Sequence, residues 1–225
     1  MKPSVLIFDL DGTLVDSMDH YTDVFCDVLV ERHSLDRDFC RTAYLSMAGM
    51  APGAQFREVL RRTSLAETDA GTLTDLFWQR CELATPVLFP EVAGVLGELA
   101  TQDYVMFVSS GGRTDVARFR TATAGIDRHF RHIQGSDEEP GGIHKGPEHF
   151  RVFADLLGVS TAELSRRAWL IGDGPHDMQV ASAARIRAIG RLTGDNAAQL
   201  ARAGADVLIS DLNALMGLLS QAGPK

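Results

Sequence analysis

Two aspartates, Asp9 and Asp11 in Asp9-Leu10-Asp11-Gly12-Thr13, follow directly on the apolar run Val5-Leu6-Ile7-Phe8. Such a run ahead of a turn predicts a buried strand. Successive strand residues face opposite sides, so both carboxylates are expected on one side and Leu10 on the other. Like charges that close together need a cation. Gly12 permits a tight turn whose backbone amides, with Thr13, face the same place and can cradle an anion. Carboxylates, a metal and an anion at the end of a strand predict phosphate chemistry, at the position where α/β proteins carry their sites.

The same pattern recurs further along. The run Tyr104 to Val108 leads into Ser109-Ser110-Gly111-Gly112, which places hydroxyls and backbone amides ahead of a helix expected from Thr114, and helix N-termini attract anions. Arg113 either adds positive charge there or sits on the surface. Lys145, in Ile143-His144-Lys145-Gly146-Pro147, precedes another helix and lies in an acidic neighbourhood, where it is either a cation for the site or a solvated surface charge. Trp169-Leu170-Ile171-Gly172-Asp173-Gly174-Pro175-His176-Asp177 again runs strand, glycine, acid, tight turn, helix. Asp173 is a hard-metal ligand by type. Mg²⁺ takes oxygen ligands and often needs only one or two protein carboxylates beside a substrate phosphate. Asp177 either supports that metal or is an ordinary first-turn helix acid.

In this order, the four segments resemble the signature motifs of the haloacid dehalogenase superfamily, in the phosphatase branch that carries a helical cap after the first strand and includes phosphoglycolate phosphatases and beta-phosphoglucomutases. The resemblance implies a Mg²⁺-dependent phosphatase acting on a small phosphorylated metabolite, with Asp9 as nucleophile forming an aspartyl-phosphate and Asp11 as acid/base. It implies that Mg²⁺ is held by the Asp9 carboxylate, the Asp11 backbone carbonyl and Asp173, with Asp177 in support. Ser109 and Lys145 would complete the clamp on the phosphoryl oxygens. Gly12, Thr13, Ser110, Gly111 and Arg113 are then candidate substrate contacts.

The chain departs from the pattern in three places. Ser110 stands where relatives often have Asn, Gly146 where they often have Pro, and Arg185 where a helix-ending Gly is frequent. Dehalogenation and phosphonate hydrolysis are disfavoured, because such relatives lack an acid/base at the position of Asp11. Mutases of this branch commonly carry His twelve residues after the nucleophile. Here that residue is Tyr21, and His20 lies one residue early, about 100° around a helix. A non-catalytic phosphate-binding relative remains as a reading of another class. A receiver domain is not matched, since its phosphoacceptor lies farther along and it has no inserted cap.

Apolar runs at Val5 to Phe8, Tyr104 to Val108, His132 to Gln134, Trp169 to Ile171, Arg187 to Ile189 and Val207 to Ile209 alternate with helical periodicity, which predicts an α/β fold with a Rossmann-like parallel-sheet core. The stretch from 9 to 103 far exceeds the dozen or so residues that one crossover needs. Tyr21, Val24, Phe25, Val28 and Leu29 mark one amphipathic helix within it, Phe56, Val59 and Leu60 another, and Leu73, Leu76, Phe77 and Leu83 a third or fourth. The expected organisation is a core of 1–15 and 90–225 with a helical cap at 16–89. Ser17 is the expected N-cap of its first helix, and Pro86 and Pro90 mark its return. The cap would act as a lid whose Gly49-Met50-Ala51-Pro52-Gly53 segment, with Arg57, either recognises substrate or merely joins two helices.

A net charge of -8 argues against nucleic acid or an anionic membrane as the main partner, since both favour a basic face. Cys26, Cys40 and Cys81 are odd in number and lack a Cys-x-x-Cys spacing, so neither a disulfide framework nor a thiolate zinc site is indicated. No run reaches membrane-spanning length and no signal segment is evident, so a cytoplasmic protein, monomeric or a weak homodimer, is expected.

Overall fold

The structure, a computed structural model, describes residues 3–47, 50–81, 85–137 and 142–223. Six parallel strands form one sheet: β1 (Val5–Phe8), β2 (Val105–Ser109), β3 (His132–Gln134), β4 (Ala168–Gly172), β5 (Arg187–Arg191) and β6 (Val207–Ile209). Their spatial order is β3-β2-β1-β4-β5-β6, so the order reverses between β1 and β4. Ligands of such sheets bind at that reversal, outside the carboxyl ends of the strands. Phe8 is level with Val108 on one side and Ile171 on the other, which brings the residues after β1, β2 and β4 to a common edge.

Two-residue periodicity builds the layers. Leu6 and Phe8 join an apolar cluster with α5 (Val92–Thr101) and α11 (Leu212–Gln221), through residues such as Val92, Leu96, Leu215 and Leu219. Val5 and Ile7 face the opposite way, onto Phe150 and Phe153 of α7 (Pro147–Leu157) and Met178 of α9 (Pro175–Ala183). Both faces are covered, which is why the strands read as unbroken apolar runs. The layers are completed by α6 (Thr114–Thr123), α8 (Thr161–Arg167) and α10 (Ala197–Ala203).

Between β1 and β2 the chain forms α1 (Met18–His33), α2 (Arg37–Ser46), α3 (Pro52–Arg62) and α4 (Ala70–Cys81) before α5. These helices share a core of their own, including Phe25, Leu29, Tyr44, Phe56, Leu60, Leu73 and Phe77. Helix α2 has no counterpart among the segments expected from sequence. It is amphipathic, with Cys40, Ala43 and Tyr44 buried and Phe39 and Leu45 exposed. Leu83 and Gly49 lie outside the described residues. The chain leaves at Val15 and returns at Leu88, and these two residues pair as an antiparallel bridge.

Two local departures have a structural reason. Gly146 adopts φ +138, a conformation closed to proline, and Pro147 instead opens α7. Arg185, at the frequent Gly position, takes φ +57, so the turn after α9 is made without glycine. None of the three cysteines forms a disulfide, and all are buried. Among the described residues no helix is long and apolar enough to cross a membrane.

Candidate active site

The acidic cluster assembles from two strand ends. Asp9 leaves β1 with its backbone N–H donated to the Ile171 carbonyl of β4 at 2.8 Å, and Asp173 follows β4 directly. Gly12 turns the intervening loop at φ +82 and packs so closely on Asp173 that a Cβ there would stand 2.2 Å from its Oδ2. Thr13 Oγ1 donates to Asp173 Oδ1 at 3.1 Å. Asp177, in the first turn of α9, accepts the Gly174 N–H through Oδ2 at 3.0 Å. Asp9, Asp173 and Asp177 are all buried, each offering a carboxylate oxygen within 4.8 Å of the others.

Lys145 enters this cluster from the loop before α7. Its Nζ lies 2.6 Å from Asp9 Oδ1 and 2.5 Å from Asp177 Oδ1, and the residue is buried. Burial works against its charge, but the attraction of Asp177 and Asp9 prevails and raises its pKa. One ammonium does not balance three carboxylates. Burial and then Asp177 push the Asp173 carboxyl up to about 7. The Asp9 carboxyl is also raised, by burial first, with Lys145 opposing and Asp177 and Asp173 adding. A buried all-oxygen donor set short of positive charge is the environment a hard divalent cation suits, so these residues fit Mg²⁺.

Asp11 sits at the mouth of the cluster. Ser17 donates its hydroxyl to Asp11 Oδ1 at 2.7 Å rather than capping α1, although it stands at the N-cap position. Arg120, reaching in from α6, places NH1 3.2 Å from the same oxygen, and its guanidinium lies 4.8 Å from the centre of the Tyr21 ring. Ser109 Oγ is 2.8 Å from His149 Nδ1, both groups buried. His149 is driven down to about 3 by burial and then by Lys145, so its ring is neutral. Ser136 ties the parts together: its Oγ donates to the Ser110 carbonyl at 3.2 Å and accepts the Lys145 N–H at 3.0 Å. Arg191, on β5, donates to the Thr13 carbonyl at 3.2 Å and pairs with Glu91 at 2.6 Å.

A cavity of about 40 Å³ lies over Asp9 and Asp11. Ser110, Gly111 and Gly112 line its core side; Met18, Tyr21, Tyr44, Met50, Pro52, Gln55 and Trp78 line it from the inserted helices. Of the residues expected from sequence, Asp9, Asp11, Gly12, Thr13, Lys145, Asp173 and Asp177 thus come together, with Ser110 and Gly111 at the cavity wall. Ser109 contacts His149 and does not line the cavity, and two arginines do not join the site either. Arg113 forms an ion pair with Asp115 at the surface, and Arg57 lines a separate groove with Glu58, Arg61 and Glu67. Ser17, Arg120, Ser136, His149 and Arg191 were not singled out as site residues. A buried arginine ending a core strand is a detectable signal for Arg191, whereas nothing local marks Arg120.

A family model described as haloacid dehalogenase-like hydrolase matches residues 3–185. The chain is 27% identical over 187 residues to the tyrosine-protein kinase PtkA of Mycobacterium tuberculosis, covering 81% of this chain but only 60% of that protein's length. It is 26% identical over 226 residues to a phosphoglycolate phosphatase of Rhodospirillum rubrum, covering 95% of this chain and 89% of that protein. A crystal structure of a hydrolase from Pseudomonas syringae superposes with a TM-score of 0.82 at 24% identity, covering 98% of this chain and 100% of the other.

Proposed function

The chain belongs to the haloacid dehalogenase-like hydrolases, and from that premise we propose that it hydrolyses a small phosphomonoester through attack of Asp9 on phosphorus, with Mg²⁺ as cofactor. The observation that carries this reading is the junction of β1 and β4, where Asp9, Asp173 and Asp177 share one buried pocket with the Lys145 ammonium. The relative from Rhodospirillum rubrum, named for phosphoglycolate, supports a phosphomonoester as substrate.

Asp9 supplies a carboxylate oxygen that bonds to phosphorus as the bond to the ester oxygen breaks. The leaving oxygen takes its proton from Asp11, which later removes one from the water that attacks the aspartyl-phosphate. Cleavage of that bond frees inorganic phosphate and restores the Asp9 carboxylate. Ser17 and Arg120 both engage Asp11 Oδ1, which leaves Oδ2 to carry the proton. Lys145 places its charge beside the attacking carboxylate, where the phosphoryl oxygens gather. The neutral His149 ring, with Nδ1 2.8 Å from Ser109 Oγ, holds the Ser109 hydroxyl in place at the end of β2. Asp9, Asp173 and the Asp11 backbone carbonyl would hold Mg²⁺ with Asp177 in support; the bound ion neutralises carboxylates and phosphoryl oxygens together. The inserted segment, 16–89, acts as a lid that excludes bulk water.

A mutase reading finds no support, because Tyr21 lines the cavity while His20 is exposed. The test is release of inorganic phosphate from p-nitrophenyl phosphate with and without Mg²⁺, by the parent and by Asp9→Asn. Mg²⁺-dependent release by the parent is expected, with turnover lost in a variant that keeps its circular dichroism. Near-parent turnover by Asp9→Asn would remove Asp9 as nucleophile.

A further inference from the structure

The cavity over Asp9 has ends of different chemistry. Its core end gathers the charged groups that meet the phosphoryl group, and the far end is where the organic part of an ester must lie. That far end is walled by Tyr21, Tyr44, Trp78 and Gln55. Gln55 is 2% exposed, and its Nε2 donates to the Met47 carbonyl at 2.7 Å. A carbonyl only accepts, so the amide nitrogen must face Met47 and Oε1 must face away from it. Oε1 is buried and has no hydrogen-bond partner, and the Tyr21 hydroxyl is in the same condition. Buried polar atoms are nearly always paired; Gln55 Oε1 can only accept and so calls for a donor, whereas the Tyr21 hydroxyl can donate or accept, and both residues line the substrate cavity.

The same wall lacks a cation. The insertion contains no lysine, and none of its arginines lines the cavity. Arg37, Arg41, Arg61, Arg62 and Arg80 are paired with acids elsewhere on the insertion. Arg57 lies in its separate groove beside Glu58 and Glu67. The buried Arg120 guanidinium, 4.8 Å from the centre of the Tyr21 ring, already has its charge matched by Asp11, although its Nε has no partner. A carboxylate on the organic part would therefore be buried among aromatic rings and an amide oxygen without a counter-charge, a strongly unfavourable placement.

We propose that the organic part of the substrate is a small uncharged group bearing a hydroxyl, which donates to Gln55 Oε1 and meets the Tyr21 hydroxyl, and that esters ending in a carboxylate are rejected. This rests on the phosphatase reading above. It separates the chain from relatives named for phosphoglycolate, whose substrate ends in a carboxylate.

The test uses the full chain with Mg²⁺ and esters of matched size: 2-hydroxyethyl phosphate, ethyl phosphate and phosphoglycolate, with p-nitrophenyl phosphate as a check on the chemistry. The expected kcat/KM order is hydroxyethyl over ethyl over phosphoglycolate, the first exceeding the last by about 100-fold. Gln55→Leu and Tyr21→Phe should each bring the hydroxyethyl-to-ethyl ratio toward one. That ratio is independent of how much of a variant is folded, since both esters meet the same active fraction. Tyr21→Phe also keeps the ring that packs on Phe77 and Trp78. Phosphoglycolate hydrolysed as well as hydroxyethyl phosphate, or a ratio unchanged in both variants, would overturn the inference. Turnover of none of the four esters would instead refute the phosphatase reading on which it stands.

Discussion

Replacing Gly12 by alanine tests the placement of Asp173 against the acidic turn. Gly12 holds φ +82, and a Cβ there would stand 2.2 Å from Asp173 Oδ2 and 2.5 Å from its Cγ. Since real Cβ contacts under 3.0 Å essentially do not occur, the carboxylate must retreat by at least about 0.8 Å. It has little room, because Thr13 holds its other oxygen and Asp177 packs behind. A misplacement of about 1 Å at a reacting centre costs on the order of 100-fold in rate. The left-handed backbone adds about 1–2 kcal/mol of strain. At about 2–4 °C per kcal/mol for a chain of this size, Tm should fall by about 2–8 °C. Gly158→Ala isolates that second effect: Gly158 ends α7 at φ +67, and nothing lies within 4 Å of its would-be Cβ. Thermal denaturation, phosphate-release kinetics and Mg²⁺ titration on both variants decide the matter. Both should lose Tm, but only Gly12→Ala should lose about 100-fold in kcat/KM and require more Mg²⁺. A Gly12→Ala enzyme within about threefold of the parent, with the same Mg²⁺ dependence, would refute the reasoning.

Because Asp173 is raised from 3.8 to about 7 in the folded, metal-free chain, the folded state holds that proton more tightly than the unfolded state does, and stability is lost as pH rises through this window. The Tm advantage of Asp173→Asn over the parent in EDTA should therefore grow from pH 4 to pH 7 and shrink on adding Mg²⁺; a flat difference would count against a buried, metal-seeking carboxylate. Arg120→Met should slow hydrolysis of an alkyl phosphate by about tenfold and p-nitrophenyl phosphate much less, since that leaving group needs no proton, and Arg120→Lys should recover part of the loss. Equal losses on both esters would reduce Arg120 to a packing residue. Arg185→Gly should raise Tm by about 2–4 °C through relief of its positive φ, with kinetics unchanged; a lower Tm would mean that the Arg185 side chain contributes more than its backbone costs.

What was legible in the sequence is what local pattern encodes. Each of the six strands lies where the sequence places it, with ends shifted by at most two residues; the central strands β1 and β4, covered on both faces, are apolar throughout. Asp9, Lys145 and Asp173 were legible for a related reason: each follows a strand or precedes a helix at the one edge where a parallel sheet collects its loops. Helix α2 was hidden because its apolar residues do not mark a single face: Cys40, Ala43 and Tyr44 are buried while Phe39 and Leu45 are exposed. Partners that reach the site from helix interiors were hidden too. Arg120 is seven residues into α6, with no turn, glycine or strand end to mark it, and only the three-dimensional fold turns its guanidinium toward Asp11. Ser17 shows the converse. Its type and place predict a cap, yet the hydroxyl serves Asp11 instead, because the exit loop brings that carboxylate closer than the helix's own amides. Helical phase, finally, is where one residue of register carries chemistry: α1 turns Tyr21 into the cavity and His20 out to solvent. An exchange of the two side chains, His20→Tyr with Tyr21→His, would place an imidazole against the cavity without altering composition, and the present helix phase requires that imidazole to be buried and shifted from the free value. If nuclear magnetic resonance titration of that variant found the new histidine freely solvated, α1 would have to be rotated and the assignment of Tyr21 to the substrate wall withdrawn.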